Sequence, residues 1–388
     1  MKDLFLVRPR WMDEELVLFD DMVQRFIESS LPPERLQGFR DAGIVDRAAW
    51  KDLADAGLLG LSVMESFGGP GGDFRHDAIL TYRLMRAGAD GFGVPLHNAI
   101  CAGYIQKYGT DSQRASWLPK IVSGEVITAI AMTEPGAGSD LQGIRTIAKK
   151  KDGLLIINGQ KTFITNGQLA DVILVVAKTA PEAGSKGISL VIIDTRVVEG
   201  FDRGRNLDKI GMEMGDTSEL FFNDVIVSES AILGGTEGQG LRQLMAELPK
   251  ERLIIAIESL AIIDAAILLA LDYVHERKAF GNRILDFQNT QFQLAECKTE
   301  AMIARCMVDE CILRYHEGTL DAETASMAKY WVSECAQRVV DRCLQFFGGY
   351  GYMNEYPIAQ LYKDVRVKRI YGGTTEIMKL LIARNLSA

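Results

Sequence analysis

Four stretches of this chain concentrate residues able to hold or process a small molecule. The first, Ala131-Met-Thr-Glu-Pro-Gly-Ala-Gly-Ser-Asp140, follows a β-rich run. Its glycines let backbone N–H groups approach a flat or anionic ligand closely, and Thr133 and Ser139 add hydroxyls. It lacks the third glycine and following helix of a dinucleotide loop, and it lacks the Gly-Lys-Ser/Thr of a phosphate loop, so nicotinamide and ATP chemistry lose ground. In most chains such a segment is a polar turn. The second, Lys161-Thr-Phe-Ile-Thr-Asn-Gly167, is another strand end, with Phe163 and Thr165 two residues apart and therefore on one face. The third combines Gln345-Phe-Phe-Gly-Gly-Tyr-Gly-Tyr352, Glu355-Tyr-Pro357 and Ile370-Tyr-Gly-Gly-Thr-Thr-Glu-Ile377. Helix termination accounts for each of its glycine pairs singly, but not for their combination with so many aromatic rings. In the fourth, Leu248-Pro-Lys-Glu-Arg-Leu253, Pro249 favours a helix start that projects Glu251 from a first turn. The ordinary explanation of that Glu-Arg pair is complementarity to a helix dipole and a surface ion pair.

The elements that must position these residues change character twice along the chain. Residues 1–125 are helical in pattern, with apolar residues at helix spacing around Leu16, Phe19, Val23 and Phe26 and around Trp50, Leu53, Leu58 and Leu61. Pro32-Pro33 and Gly68-Gly69-Pro70-Gly71-Gly72 punctuate them as turns. Residues 126–235 hold short β-rich runs, namely Val126 to Met132, Leu154 to Ile157, Val172 to Val176, Ile188 to Ile193 and Leu220 to Val227. Asp152-Gly153, Asn158-Gly159 and Asn166-Gly167 beside these runs are hairpin chemistry, which predicts an antiparallel β domain. Residues 236–388 return to helix, and Leu294, Cys297, Ala301, Ala304, Val308, Cys311 and Tyr315 form one continuous apolar stripe of a bundle helix. The fold class is thus α+β in three parts, helical, β and helical bundle.

Composition narrows the function classes. The chain has 388 residues, 47% apolar and 24% charged, which excludes a disordered chain, a collagen-like repeat and a disulfide scaffold. A net charge of −9 argues against broad adhesion to nucleic acid or anionic lipid, so a polyanionic ligand needs a local cationic pocket. Six cysteines without a Cys-x-x-Cys pair give neither a disulfide framework nor a zinc site. His76, His97, His275 and His316 are too scattered for a metal centre. No metal is expected. Met1-Lys-Asp-Leu-Phe-Leu6 turns charged at Arg8 and Arg10 before a signal-peptide core forms, and Leu253 to Leu271 is interrupted by Glu258 and Asp264, so it predicts a buried helix rather than a membrane span. A cytoplasmic protein, of bacterial cytosol type, is expected.

At the level of motifs the sequence resembles the acyl-CoA dehydrogenases over nearly its whole length, through Ala131 to Asp140, Gln345 to Ile377 and Arg277-Lys-Ala-Phe-Gly281. The resemblance implies a flavoprotein with a helical N-terminal domain, a middle β domain and a C-terminal four-helix bundle, assembled as a homotetramer and binding FAD. By motif position it assigns the flavin to Met132, Thr133, Ser139, Phe163, Thr165, Thr374 and Glu376, and a neighbouring subunit's FAD to Arg277, Phe280, Gln288, Gln345 and Gly349. It implies α,β-dehydrogenation of an acyl-CoA thioester to the trans-2-enoyl-CoA, as in fatty acid β-oxidation, with an electron-transfer flavoprotein as oxidant. In much of the family the base is a glutamate in the Ile-Tyr-Glu-Gly-Thr stretch, but the matching residue here is Gly372, which keeps only its backbone N–H for the thioester oxygen. The long-chain and isovaleryl branches place the base before an arginine at the start of a bundle helix, and Glu251 matches that position. The loss at 372 and gain at 251 favour Glu251 as base over a surface ion pair. Ser139, Ser185, Lys186, Lys250, Arg252, Gly372 and Gly373 are the implied acyl-CoA contacts, and long-chain or branched substrates the implied class. The same scaffold could also serve a flavin oxidase or monooxygenase, or a non-catalytic acyl-CoA-binding subunit.

Overall fold

The protein is described here by a computed structural model covering residue 4 and residues 8–386. Residues 1–3 and 5–7, on which the reading of the N-terminus partly rests, lie outside the described residues.

The N-terminal part contains α1 (Glu14–Ser30), α2 (Pro33–Ala42), α3 (Arg47–Asp55), α4 (Phe74–Arg86), α5 (Gly103–Tyr108) and α6 (Asp111–Val122), with a π-helical turn at Leu96–Ala102 leading into α5. Asp13 starts α1 by accepting from the Leu16 N–H at 2.9 Å, and Leu16, Val23 and Ile27 form its buried stripe. The stripe expected from Trp50 to Leu61 is interrupted, because α3 ends at Asp55 and Leu58 and Leu61 reach the core from the turn beyond it.

The middle part is a seven-stranded sheet of β1 (Thr128–Ala131), β2 (Ile147–Lys151), β3 (Leu154–Thr165), β4 (Val172–Lys178), β5 (Ile188–Asp194), β6 (Phe201–Asn206) and β7 (Thr217–Ser228). Most pairings are antiparallel as expected, β2–β3, β3–β7, β4–β5 and β6–β7, while β1 pairs parallel with β4, from Thr128↔Val172 to Ala131↔Val175, and β2 meets β4 in parallel at Ile147↔Lys178. A parallel pair needs a long crossover, and the β2–β3 hairpin supplies it. β4 is buried on both faces, Val172, Leu174 and Val176 against the α5–α6 side and Ile173, Val175 and Ala177 against the opposite core, which explains its unbroken apolar run. Asp152-Gly153 turns the β2–β3 hairpin as expected. Asn158-Gly159 lies inside β3 at a register shift, where a Cβ on Gly159 would overlap Thr146, so that pair marks a bulge and not a turn.

The C-terminal part comprises α7 (Gly240–Glu276), α8 (Gln288–His316), α9 (Ala322–Phe346), α10 (Pro357–Asp364) and α11 (Thr375–Leu386). α7 packs against α8 and α9 on one side and α4 on the other, and one apolar core runs from α1–α4 through the bundle. This double coverage is why α7 is apolar all round: it is long and apolar enough to cross a membrane, yet most of that stretch is buried in the protein. The stripe on α8 is buried from Leu294 to Cys311, and all six cysteines are free thiols.

Candidate active site

Where the three parts meet, a cavity of about 200 Å³ opens. Met132 and Thr133 enter it from the turn after β1, Phe163 and Thr165 from the end of β3, Glu251, Ile255 and Glu258 from α7, and Tyr371 and Gly372 from the turn before α11. Three of the four chemistry-bearing stretches therefore converge on it, together with the Ile370 to Ile377 segment of the remaining one.

The β-sheet side is held under strain. Phe163 has φ = 60°, an uncommon conformation for a bulky aromatic, at a register shift between Lys161 and Ile164. The result is a Phe163 ring 67% exposed at the cavity. Behind it, fully buried Lys161 donates to the Met132 carbonyl at 3.0 Å and to Glu134 Oε1 at 2.8 Å, and Glu134 also accepts from the Arg145 and Thr146 N–H groups at 2.6 and 3.0 Å. Burial pushes the Lys161 ammonium down to about 8. Glu134 and Lys161 stand within the motifs read from the sequence, but their role as a buried pin under the turn was not legible there.

On the helix side one expectation is corrected. α7 begins at Gly240, so Pro249 lies inside it, and Glu251 is an interior helical residue only 6% exposed. Tyr104 Oη donates to Glu251 Oε1 at 2.9 Å. Burial raises the Glu251 pKa above the ordinary carboxylate range, against the opposing pull of the Tyr104 hydroxyl and Lys250. Sequence reasoning missed Tyr104, since a tyrosine in an apolar helical stretch looks like any core aromatic.

Gly372 has φ = 62°, and a Cβ there would overlap Ile255 Cδ1. Glycine is favoured on both counts. The chain thus has no room for a side chain at 372 unless Ile255 moves, while a carboxylate stands on α7 one turn before Ile255.

A second polar group borders the same cavity and was also missed. Lys368, fully buried, donates to Asp90 Oδ1 at 2.8 Å, Glu258 Oε2 at 3.0 Å and Tyr371 Oη at 2.9 Å, while Tyr371 Oη donates to Glu258 Oε2 at 2.8 Å. Asp90, Glu258 and Tyr371 line the cavity.

The remaining sequence candidates are placed elsewhere. Lys250 is buried in an ion pair with Glu247 at 2.9 Å, and Arg252, 3% exposed, donates to Ser326 Oγ at 3.1 Å; neither lines the cavity. Ser139 is exposed on its turn, and Ser185 and Lys186 sit in the turn Pro181–Gly187. The Gly373 carbonyl accepts from Lys329 Nζ at 2.6 Å, the Thr374 hydroxyl accepts from the Ile377 N–H at 3.3 Å, and Glu376 is exposed in the first turn of α11. Arg277, Phe280, Gln288, Gln345 and Gly349 are exposed on the bundle, where Arg277 and Gly349 border a separate concavity of about 430 Å³ and Phe280 is 94% exposed at a hairpin tip. Among the described residues no group of three or more His, Cys, Asp or Glu could hold a metal ion.

A buried carboxylate and a strained, exposed aromatic turn thus border one cavity. Comparison with known proteins is consistent across the chain. Family models for the N-terminal, middle and C-terminal domains of acyl-CoA dehydrogenase match residues 13–125, 129–225 and 238–387. The mitochondrial long-chain specific acyl-CoA dehydrogenase of Mus musculus is 44% identical over 379 residues, 97% of this chain and 87% of its own. The crystal structure of an acyl-CoA dehydrogenase from Geobacillus kaustophilus superposes with a TM-score of 0.96 at 43% identity, over 98% of this chain and 100% of that one. A glutaryl-CoA dehydrogenase from Mycobacterium smegmatis, solved in complex with FADH2, gives a TM-score of 0.90 at 26% identity, over 97% and 96% of the two chains. The chain belongs to the acyl-CoA dehydrogenase family.

Proposed function

We propose that the protein carries out FAD-dependent α,β-dehydrogenation of a long-chain or branched acyl-CoA to the trans-2-enoyl-CoA, with Glu251 as the base. The observation that carries this reading is the placement of Glu251, buried at the cavity, hydrogen-bonded by Tyr104 and sharing the cavity with Gly372 and Thr165. The exposed, strained Phe163 offers a flat apolar face, and Met132, Thr133 and Thr165 border it, a set that fits an isoalloxazine ring. FAD, when bound, supplies the acceptor for the β-hydrogen as hydride. The chain's own residues do the rest. Glu251 takes the α-proton, its raised pKa bringing its basicity closer to that of a polarised thioester. The Gly372 N–H is the donor available to the thioester oxygen. Leu96, Ile100, Ile130, Ile254 and Ile255 line the same cavity, and such apolar walls disfavour water beside both groups.

Replacing Glu251 with Gln and mixing the flavin-loaded protein anaerobically with acyl-CoA tests the assignment. Flavin bleaching should slow about 100- to 10,000-fold. Undiminished bleaching removes Glu251 from the role, and a colourless protein that cannot be reconstituted with FAD overturns the whole reading in favour of an acyl-CoA-binding subunit. The long-chain preference rests on the likeness to the mouse enzyme and on the residues at 251 and 372. An electron-transfer flavoprotein as oxidant, a homotetramer and a cytoplasmic location belong to the same reading; rapid reoxidation of substrate-reduced enzyme by oxygen would point to an oxidase instead.

A further inference from the structure

Gly372 and Gly373 stand side by side in the left-handed region, with φ = 62° and 96°, and glycine is the residue whose backbone is least restrained there. Backbone hydrogen bonds run up to this turn, from the Ile370 and Tyr371 N–H groups to the Val367 carbonyl, and resume beyond it, from the Met378 N–H to the Thr374 carbonyl. Among the described residues neither the Gly372 nor the Gly373 N–H finds an acceptor. The N–H assigned above to the thioester oxygen thus belongs to a segment that its own backbone does not fix.

Two side chains hold the turn from outside. Tyr371 Oη donates to Glu258 Oε2 at 2.8 Å and accepts from Lys368 at 2.9 Å, which fixes the entry. Lys329 on α9 donates to the Gly373 carbonyl at 2.6 Å, which fixes the exit. The ordinary explanation of Lys329 is that it ties α9 to the turn before α11, but its charge exceeds that role. Lys329 is fully buried and, among the described residues, forms no ion pair. Of the carboxylates that act on it, Glu334 is engaged by Arg369 at 2.7 Å and by the Thr375 hydroxyl at 2.9 Å, and Glu376 is exposed. A buried, unpaired ammonium is costly, and an apolar side chain fills such a place more cheaply. A charged donor, however, makes a hydrogen bond roughly twice as strong as a neutral one, which stiffens a glycine pair. We infer that Lys329 is a positioning residue for the reaction: its ammonium holds the Gly372–Gly373 turn so that the Gly372 N–H stays directed at the thioester oxygen. This inference rests on the acyl-CoA reading above and adds to it a residue outside the cavity. Negative charge grows on that oxygen as the α-proton leaves, so a loosened turn weakens the transition state more than the bound ground state.

The test replaces Lys329 with Met in the flavin-loaded enzyme and compares an acyl-CoA thioester with the matching dithioester, whose carbonyl oxygen is replaced by sulfur, a weak hydrogen-bond acceptor. With an artificial electron acceptor, kcat for the thioester should fall about 10- to 100-fold while KM stays within about threefold, and kcat for the dithioester should fall by no more than about threefold. An unchanged kcat for the thioester overturns the inference, as does an equal loss on both esters, the result a merely structural tie gives. Should Lys329→Met not fold or not hold FAD, the wild-type enzyme decides it. Burial pulls the Lys329 ammonium down to about 8, Arg252 on α7 and Arg369 adding to the pull and Glu334 and Glu376 opposing it. Wild-type kcat for the thioester should therefore fall as pH rises through that value while the dithioester profile stays level, and parallel profiles count against the inference. Wild-type turnover of the thioester with an undiminished variant refutes only the role of Lys329; absence of turnover of either ester by wild type overturns the proposed function, and this inference with it.

Discussion

A base that must be anionic to act occupies, in Glu251, a place that penalises its charge. Because burial raises its pKa, activity is lost as pH falls through that raised value, at a higher pH than an exposed glutamate would require. The Tyr104 hydroxyl favours the charged form, so Tyr104→Phe should raise the Glu251 pKa further and move the acid limb of the kcat/KM profile to higher pH; a pH–rate series on the two proteins reads this directly. The same shift bears on stability. The native state binds the Glu251 proton more tightly than the unfolded chain, so this group's contribution to stability is greatest at low pH and falls as pH rises from the unfolded value of about 4.5 through the folded one. Glu251→Gln, inactive as a base, should accordingly melt at a higher temperature than wild type near neutral pH. The neighbouring position has the opposite constraint. Placing a glutamate at Gly372 forces a left-handed backbone on a side chain whose Cβ overlaps Ile255 Cδ1. Gly372→Glu should destabilise by about 1–3 kcal/mol, and Ile255→Val, which deletes the overlapping methyl, should recover part of that loss in a double-mutant cycle of denaturant unfolding.

At the scale of elements, the end of β3 owes its shape to the Lys161–Glu134 pair beneath it. Both side chains are buried and satisfied by Met132, Arg145 and Thr146 as well as by each other. Lys161→Met leaves Glu134 buried without its cation, which should cost about 3–5 kcal/mol in urea unfolding and loosen the Met132–Thr133 turn. Weaker retention of FAD on dilution or gel filtration checks the second effect. α7 shows how an element can mislead. Read locally, Pro249 is a helix start, whereas in the fold two further turns precede it because the apolar surroundings of the long helix outweigh one lost hydrogen bond.

At the scale of the whole molecule, the residues that the family resemblance assigns to a neighbouring subunit's cofactor lie apart from the Glu251 cavity, on an exposed part of the bundle. Phe280, 94% exposed at a hairpin tip, is an expensive residue to leave in water. The tetramer of 42.9 kDa chains proposed above would give it a partner surface to cover it. Light scattering should give four chains per particle, and Phe280→Ser should weaken FAD retention about tenfold without altering the absorbance of flavin already bound. The −9 charge makes the same point from another side. A chain that repels polyanions on average must recognise them through backbone donors and a few cations, yet Lys250 and Arg252 are engaged inside the protein.

The three-part organisation, the apolar stripe of α8, the buried character of α7 and the motifs at 131–140, 161–167 and 370–377 were legible in the sequence, because each depends on local periodicity or on glycine placed where only glycine fits. The antiparallel reading of the sheet holds for most of its pairings and misses the parallel meeting of β1 with β4, which depends on the route of the intervening chain. The same reason hid Tyr104 beside Glu251, Lys161 beneath Met132, and the meeting of Asp90, Glu258 and Lys368, partners separated by up to 278 positions. Residue type and spacing determined which groups could do chemistry. Only the tertiary structure decided which of them share a cavity, because burial, pKa and hydrogen-bond partners are properties of neighbours that the order of the chain does not specify.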